Sequence, residues 1–263
     1  MVCRGSLTYI IHAMKLINYF EVNPGGNTTA IVRGIFTTKR RKVIARRILS
    51  TNKKIEQVGF WMPASSKRAV ARLEMAGGEF CGNATRSLAT LLNKKGSFWL
   101  ETSGLDELVR VQASSKSASV VLSIKTFRLK DNTCTLPGIT HILKADRFNR
   151  QEAKRLLRSK ALLQKRAAGV IGYKKLRSDL YEILPVVWVR DIATLIAETA
   201  CASGTLALAY LLWQSDGITS IRIKQPSGAI FTVRIKGDSL MLKGPIRGIS
   251  KKTLELRKMK DVL

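Results

Sequence analysis

The chain has 263 residues, with 46 Lys and Arg against 18 Asp and Glu, so its formal net charge at pH 7 is +28. Its length fits one large domain or two domains of about 130 residues. A hydrophobic fraction of 45% is ordinary for a globular protein. No apolar run approaches the ~20 residues that a membrane-spanning helix needs, so we expect no membrane association.

The positive charge is spread along the chain rather than concentrated in one segment. The densest basic run, residues 37–54, carries Ile44 and Ile48 at helical spacing, with Ile55 just beyond. This spacing predicts an amphipathic helix with a solvated basic face. The sequence has no zinc-ligand spacing and no aromatic RNA-binding signature. We expect nonspecific attraction to polyanions at low salt, but no specific nucleic-acid partner.

The four cysteines do not form a disulfide framework or a metal site by their spacing, because none lies in a CxxC pair and the chain has only two histidines. Cys3 falls in a loose N-terminal stretch and Cys134 in a predicted middle linker, and both are interpreted as plain residues. The N-terminal stretch lacks the long apolar region of a secretion signal. We therefore expect a cytoplasmic protein whose first strand follows Met14.

The elements alternate between short strands and a few helices. Short β-branched or aromatic runs bounded by turn residues predict strands at residues 15–20, 30–35, 57–62, 70–75, 169–173 and 183–189. Apolar periodicity predicts helices at residues 39–52 and 150–165 and two further helices that follow Cys81 and Cys201. Residues 130–150, which contain Pro137-Gly138, are interpreted as the crossing between two halves of the chain.

Two stretches of the sequence repeat each other. CGNATRSLATLL from Cys81 and CASGTLALAYLL from Cys201 are identical at six of twelve positions, and the two cysteines are 120 residues apart. Each helix is followed by a Ser-Gly pair, at residues 103–104 and 227–228, and each pair precedes a Val-Arg by six residues. Alternating strand patterns, VVLSIKT and SLMLKG, come next in each half. The shared order predicts an internal duplication.

A cysteine at a helix start has a distinctive chemistry. The first helical turn presents unpaired N–H groups and a partial positive charge, which predicts a lowered thiol pKa and a site for a carboxylate. If the halves face each other, two thiols flank one ligand. This arrangement suits removal of a proton from one face of a carbon and its return on the other face, without a cofactor. The alternatives are cysteines that serve as small core residues, or a thiol pair that senses oxidants.

These motifs resemble the diaminopimelate epimerase superfamily, which uses two cysteines for cofactor-independent racemisation. The resemblance is carried by Cys81-Gly82-Asn83, by Ala200-Cys201-Ala202-Ser203-Gly204 and by the Gly-Asn of Gly25-Gly26-Asn27, and it covers nearly the whole chain from Met14. It implies an α/β (α+β) fold of two pseudo-symmetric epimerase-like domains. Each would be a barrel-like, mostly antiparallel sheet wrapped around a central helix. We place an N-terminal extension at residues 1–13 and the two domains at 14–133 and 134–263.

Within this superfamily the sequence is most similar to the histidine racemases of staphylopine-type metallophore pathways, on the segments NPGGNTTAIV, EQVGF, EFCGNAT, SGT and QPSG and on a Glu three residues before the second cysteine. The likeness implies that Cys81 and Cys201 are the paired acid and base. It also implies a substrate site whose residues come from both halves, namely Asn27, Glu56, Gln57, Gly82, Asn83, Glu198, Ala202 and Ser203. Glu56 and Glu198 would suit a polar or cationic side chain of the substrate. The alternative interpretations are a surface carboxylate for Glu56 and a local helix cap for Glu198.

Two departures count against diaminopimelate as the substrate. The stretch RDIATLIAETAC lacks the Glu-Arg-Gly of true diaminopimelate epimerases, and Gly138-Ile139-Thr140-His141 replaces their Gly-Asn-Pro-His. The sequence therefore predicts an amino-acid racemase without cofactor or metal that takes histidine or another polar amino acid, and a homodimer is a further expectation. The alternatives are a diaminopimelate epimerase, or a non-catalytic protein of the same fold that binds anions or nucleic acid.

Overall fold

The computed structural model describes residues 15–145 and 148–256. The predicted N-terminal extension at residues 1–13 therefore lies outside the described residues, and so does Cys3. Within the described ranges the chain forms four α-helices, which are α1 (Thr38–Thr51), α2 (Gly82–Leu92), α3 (Arg150–Ser159) and α4 (Ala202–Asp216). None of these helices combines the length and the apolar character that crossing a bilayer requires.

Seventeen strands account for most of the regular structure in the described part of the chain. The strands of the first half are β1 (Lys15–Asn23), β2 (Thr29–Arg33), β3 (Gln57–Met62), β4 (Arg72–Met75), β5 (Ser97–Thr102), β6 (Val109–Ala113), β7 (Ser117–Ser123) and β8 (Arg128–Lys130). The remaining strands are β9 (Thr133–Leu136), β10 (Ile139–Lys144), β11 (Ala167–Arg177), β12 (Leu180–Val189), β13 (Thr194–Ala197), β14 (Ser220–Lys224), β15 (Ile230–Lys236), β16 (Ser239–Pro245) and β17 (Gly248–Leu256).

The strands form one continuous hydrogen-bonded network, so the fold is a mixed α+β structure dominated by a large sheet. On one side, pairings run from β17 through β1, β2, β3, β4, β5 and β6 to β7. On the other side they run from β16 through β15, β14, β12, β11 and β10 to β9 and β8, with β13 also on β12. The antiparallel β7–β16 pair joins the two sides, with Leu122 opposite Leu240.

The helices α2 and α4 are more buried than α1 and α3. Every residue of α2 from Gly82 to Thr90 is buried, and in α4 the same holds from Ala202 to Ala209. Both helices contribute to one hydrophobic core, in which Leu88 from α2 and Leu208 from α4 are fully covered. The sequence of α4 is apolar on nearly all sides because the sheet surrounds this helix and leaves its buried part no solvated face.

The elements agree with the sequence predictions in most places and differ in two. The helix predicted at residues 150–165 ends at Ser159, and a 3-10 turn at Leu162–Gln164 follows it. The interpretation of residues 130–150 as a linker is wrong for much of its length, because β9 and β10 lie there. In β9 alternate side chains, those of Cys134 and Leu136, are buried, and in β10 every residue from Ile139 to Leu143 is buried. The C-terminal strand β17 pairs with β1 of the first half, and the domain division at residue 133 stays a prediction.

Candidate active site

The two cysteines cap the two buried helices with nearly the same geometry. Cys81 precedes α2 with φ −133° and ψ 108°, and Cys201 precedes α4 with φ −132° and ψ 105°. Each Sγ accepts a hydrogen bond of 3.3 Å from the amide three residues on, from Ala84 and from Gly204 respectively. The thiols therefore occupy the N-cap position that Ser, Thr, Asp or Asn commonly takes.

The surroundings of the two caps repeat as well. Thr85 and Thr205 each donate a 2.7 Å hydrogen bond to the carbonyl of the cysteine four residues before them. The Ser-Gly turns support the residue two before each cysteine: Ser103 Oγ donates to Glu79 O, and the Ser227 amide donates to Thr199 O. The duplicated sequence thus produces two matching cradles, each of which holds a thiol at the start of a helix.

The two helix starts touch each other. A Cβ added to Gly82 would lie 2.9 Å from Cβ of Ala202, closer than real Cβ atoms come. Glycine at position 82 is therefore required by the close approach of the other helix. The sequence pattern predicted that Gly82 and Ala202 would lie near a ligand, and here they form the contact between the halves.

One cavity lies beside this contact and is bordered by both cysteines. Most of the predicted site residues line it, namely Glu56, Gln57, Cys81, Gly82, Asn83, Glu198, Cys201, Ala202 and Ser203. The rest of its wall is Glu79 together with mainly apolar side chains, namely Val58, Ala76, Phe80, Ile139, Val187, Val189, Ile192, Thr194 and Ile196. Within the described residues the lining contains three carboxyl groups and no Lys, Arg or His. This composition is notable in a chain with a net charge of +28.

Burial changes the expected ionisation of the thiols. The sequence predicted that the helix starts would lower their pKa, and this prediction is wrong. Desolvation raises the pKa of the Cys81 thiol and of the Cys201 thiol well above the ordinary range. The amide hydrogen bonds from Ala84 and Gly204 oppose this shift, but the loss of water outweighs them. A thiolate here therefore needs a further group that accepts its proton.

Gln57 connects the Cys81 thiol to the carboxyl group of Glu198. The Cys81 thiol donates to Gln57 Oε1 at 2.7 Å, and Gln57 Nε2 donates to Glu198 Oε1 at 2.9 Å. Besides burial, which has the largest effect, the negative charge of Glu198 raises the pKa of the Cys201 thiol. Burial raises the pKa of Glu198 to about 7, and the negative charge of Glu56 adds to the rise. Glu198 is only 6% exposed, and it contacts residues across the cavity rather than serving as a local helix cap.

Glu56 and the two predicted asparagines brace the segment that leads to Cys201. The Glu56 carboxylate accepts hydrogen bonds from the Thr199 amide, at 3.0 Å, and from the Thr199 hydroxyl. The side-chain amides of Asn27 and Asn83 both donate to the carbonyl of Ala200, at 2.9 and 3.0 Å. Asn83 lines the cavity, whereas Asn27 lies behind it and is fully buried. The first half thus fixes the position of the second cysteine.

Ser203 and His141 form a second contact to Cys201. Ser203 Oγ lies 3.5 Å from Cys201 Sγ and 2.9 Å from His141 Nε2. His141 is fully buried, and burial lowers its pKa to about 3, so the ring is neutral at pH 7. No sequence pattern predicted this contact, because a lone histidine on a buried strand usually serves only packing.

Glu79 is a cavity residue that the sequence analysis did not include in the site. It is 7% exposed, burial raises its pKa to about 7, and its Oε2 has no hydrogen-bond partner among the described residues. The nearby Arg166 guanidinium opposes the rise. Its position two residues before Cys81, in the quoted EFCGNAT segment, was the available signal, since a carboxyl group there reaches the same cavity as the thiol.

Known proteins resemble the chain over most of its length. Residues 16–243 match the family described as histidine racemase CntK N-terminal domain. A histidine racemase of Fusobacterium nucleatum is 26% identical over 265 residues, which cover 90% of this chain and 96% of that protein. A histidine racemase of Staphylococcus aureus is 23% identical, with coverage of 89% and 94%. A crystal structure of a hydroxyproline epimerase from Agrobacterium vitis aligns with a TM-score of 0.63 and 14% identity, covering 92% of each chain.

The fold, the shared cavity and these similarities define an isomerase of the racemase class. The chain belongs to the histidine racemase CntK N-terminal domain family.

Proposed function

We propose that this protein is a cofactor-independent histidine racemase in which Cys81 and Cys201 act as paired acid and base. The observation that carries the proposal is that both thiols cap buried helices of matching geometry and border one cavity. It accords with the histidine racemases that the chain resembles. In this proposal the two halves of the fold are pseudo-symmetric domains, and the active site lies where their helix starts meet.

The mechanism follows from the position of the thiols. The thiolate of one cysteine removes the Cα proton of the amino acid, and the thiol of the other donates a proton to the opposite face. The substrate carboxylate would lie against the first-turn amides that follow the two cysteines, at Gly82 and Asn83 and at Ala202 and Ser203. The partial positive charge of the helix starts stabilises the negative charge that develops on this carboxylate as the proton leaves.

The charge of the cavity supports histidine over acidic amino acids. Glu79 and Glu198 each have a buried carboxyl oxygen with no hydrogen-bond partner among the described residues. A buried oxygen of this kind is costly unless a ligand supplies a donor. An imidazole supplies N–H groups and an apolar ring, and the ring can pack against the wall that includes Val187 and Ile196. The distal carboxylate of diaminopimelate would instead face two further carboxyl groups.

The test is exchange of the α-hydrogen in D₂O without pyridoxal phosphate. Incubation with L-histidine should give D-histidine that carries deuterium at Cα, detected by NMR and chiral chromatography. L-arginine, L-glutamate and diaminopimelate are the comparison substrates, and we expect the largest rate for histidine. Faster turnover of diaminopimelate would favour the epimerase alternative. Failure of every amino acid to exchange would defeat the enzymatic proposal and favour a non-catalytic anion-binding protein.

Other parts of the proposal depend on further experiments. The binding roles of Glu56, Gln57, Asn83, Glu198 and Ser203 are supported by family likeness and cavity position. The role of Asn27 is supported by family likeness alone. Substitutions followed by measurement of KM test all six. Use of the product in metallophore synthesis, the cytoplasmic location and a homodimer stay predictions. Neighbouring genes, in particular one for an opine-type synthase, would test the pathway most directly.

A further inference from the structure

A glutamine behind the second cysteine holds the peptide groups of that cysteine. Gln225 directly follows β14, belongs to the QPSG segment and is 2% exposed. Its Oε1 accepts the Cys201 amide at 2.9 Å, and its Nε2 donates to Thr205 Oγ1 at 2.9 Å and to Ile223 O at 3.2 Å. The lining of the cavity, as far as the structure describes it, does not include Gln225. Any effect of this residue on the chemistry is therefore exerted through the residues that it contacts.

The donors and acceptors around the Gln225 side chain fix its orientation. The Cys201 amide can only donate, so it faces the oxygen of the side-chain amide, and the Ile223 carbonyl can only accept, so it faces the nitrogen. Thr205 completes a ring of hydrogen bonds, because its hydroxyl accepts from Gln225 and donates to the Cys201 carbonyl at 2.7 Å. The N–H and the C=O of Cys201 are thus both joined to one buried side chain, the first directly and the second through Thr205.

The helix α4 does not supply this acceptor from its own first turn. In a capping box, a Glu or Gln at the third helical position accepts a hydrogen bond from the N–H of the capping residue. That position in α4 is Gly204, where an added Cβ would lie 2.5 Å from Ile171 Cδ1 and 3.2 Å from Cys201 Sγ. A side chain there would have to displace Ile171. Gln225 provides the acceptor instead, from the end of a neighbouring strand.

The first half of the chain uses the matching position differently. Counted from the Ser-Gly pair of each half, the position of Gln225 corresponds to that of Glu101. The Glu101 carboxylate accepts hydrogen bonds from the amides of Ser65 and Ser66, in the loop between β3 and β4. The side chain at the matching position therefore braces a loop, whereas Gln225 braces the helix start at Cys201.

We propose that Gln225 is a positioning residue of the reaction, which sets the direction of the Cys201 side chain by holding the peptide groups on both sides of its Cα. This inference rests on the proposed two-cysteine function. A group that takes or gives a proton must lie within hydrogen-bond reach of the reacting atom. Because the contacts of the Gln225 side chain lie at the second helix start and at the end of β14, its loss slows proton transfer at Cys201 and leaves proton transfer at Cys81 nearly unchanged.

The first test measures the hydrogen bond itself and needs no substrate. Full-length ¹⁵N-labelled protein is transferred to D₂O, and NMR follows the exchange of individual amide hydrogens. Gln225→Met keeps the length of the side chain and offers only a weak acceptor. The Cys201 amide should then exchange at least about tenfold faster, whereas the Ala84 amide at the other helix start keeps its rate. Equal exchange of the Cys201 amide in variant and wild type would overturn the proposal.

The second test separates the positioning of one thiol from a general loss of stability. Gln225→Met is combined with Cys81→Ser, which leaves Cys201 to exchange the α-hydrogen of histidine, and separately with Cys201→Ser, which leaves Cys81. Exchange in D₂O should fall about tenfold in the first background and less than about twofold in the second, because one buried hydrogen bond is lost beside Cys201 only. Equal losses in the two backgrounds would show a merely structural role and overturn the proposal. Glu101→Gln, the change at the matching position, should alter neither rate by more than about twofold.

A conservative variant tests whether hydrogen bonding is responsible. Gln225→Glu keeps an oxygen for the Cys201 amide, and its protonated form can also donate to Thr205. In the Cys81→Ser background it should exchange histidine faster than Gln225→Met does, with a difference that grows towards low pH. The absence of any difference would contradict the role of Gln225. If Gln225→Met does not fold, Gln225→Glu is compared with the wild-type residue, and its loss of exchange should grow as the pH rises.

The results distinguish this inference from the function on which it rests. A wild-type protein that exchanges no amino acid would defeat both proposals. An active wild type whose Gln225 variants lose exchange equally at both thiols would defeat only the assignment of Gln225 and would leave the two-cysteine racemase intact.

Discussion

The starts of α2 and α4 have the same backbone and different chemistry. Their cysteines share φ, ψ, the capping amide distance and the supporting threonine. The first half has a carboxyl group two residues before its cysteine, at Glu79, and the second half has one three residues before, at Glu198. Beyond the larger effect of burial, the charge of Glu198 raises the pKa of the Cys201 thiol, and the charges of Glu198 and Glu79 raise the pKa of the Cys81 thiol.

This comparison shows that the duplicated segments give both thiols the same backbone geometry. The side chains around the thiols are what make their chemical surroundings different. Two identical helix starts would give two thiols of equal acidity, and neither would be poised as base while the other is poised as acid. A racemase must act in both directions, so the two thiols must be able to exchange the roles of acid and base. The buried carboxyl groups of Glu79 and Glu198 are side chains that make the surroundings of the two thiols unequal.

The largest expected effect comes from removing either sulfur. Cys81→Ser and Cys201→Ser should each lower racemisation by about 10³-fold or more, because each face then lacks its acid or base. Each variant keeps one thiol, so it should still exchange the α-hydrogen of one enantiomer without inverting it. Deuterium incorporation into L- and D-histidine, measured separately, checks this. If both variants label the same enantiomer, the thiols do not face opposite sides of Cα.

The next effect compares the carboxyl group before Cys81 with a carboxyl group outside the cavity. The pKa of Glu79 is raised to about 7 in the folded state by burial, so the native protein binds a proton there that the unfolded chain releases near pH 4.5. Native stability from this group is therefore present at low pH and is lost as pH rises towards about 7. Relative to Glu79→Gln, the wild type should lose about 3 kcal/mol between pH 4.5 and pH 8.

Denaturant unfolding of both proteins at several pH values measures this difference. Glu101→Gln is the control. Desolvation acts to raise the Glu101 pKa, but hydrogen bonds from Ser66 and Ser65 lower it overall. The stability that Glu101 contributes therefore changes with pH below the pH 5–8 window, and it is lost as the pH falls rather than as the pH rises. A flat difference for Glu79→Gln across this window would show that Glu79 is not the buried, protonated group that the structure indicates.

Sequence reasoning succeeded where the signal was local and missed what depends on distant contacts. The duplicated cysteine-helix unit could be predicted because Cys81 and Cys201 each begin an apolar periodic run. The bond from Gln57 to Glu198 joins residues 141 positions apart, and His141 meets Ser203 across 62, so no spacing pattern marks either pair. The thiol pKa was predicted in the wrong direction because the sequence shows a helix start but not the desolvation around it.

A smaller effect tests the contact between the two helix starts. Gly82→Ala places a methyl group 2.9 Å from Cβ of Ala202, which is closer than real Cβ atoms come. Overpacking of this kind lowers the free energy of unfolding by about 1–3 kcal/mol, and here it should also push the two thiols apart and reduce racemisation. Gly248→Ala is the control, since no atom lies within 4 Å of its added Cβ. Equal stability of the two variants would mean that the helix starts do not touch.

The smallest effect concerns the support that Cys201 has and Cys81 lacks. Ser203→Ala removes the hydroxyl that lies between His141 Nε2 and Cys201 Sγ. One hydrogen bond contributes about 0.5–1.5 kcal/mol, so we expect a racemisation rate two- to about tenfold lower. Because His141 is neutral above pH 5, the loss should be the same from pH 6 to pH 9. Ser215→Ala, on the exposed end of the same helix, is the control. A loss that grows sharply towards low pH would mean instead that His141 carries a proton in the working enzyme, and the second helix start would then hold a cation as well as a carboxyl group beside its thiol.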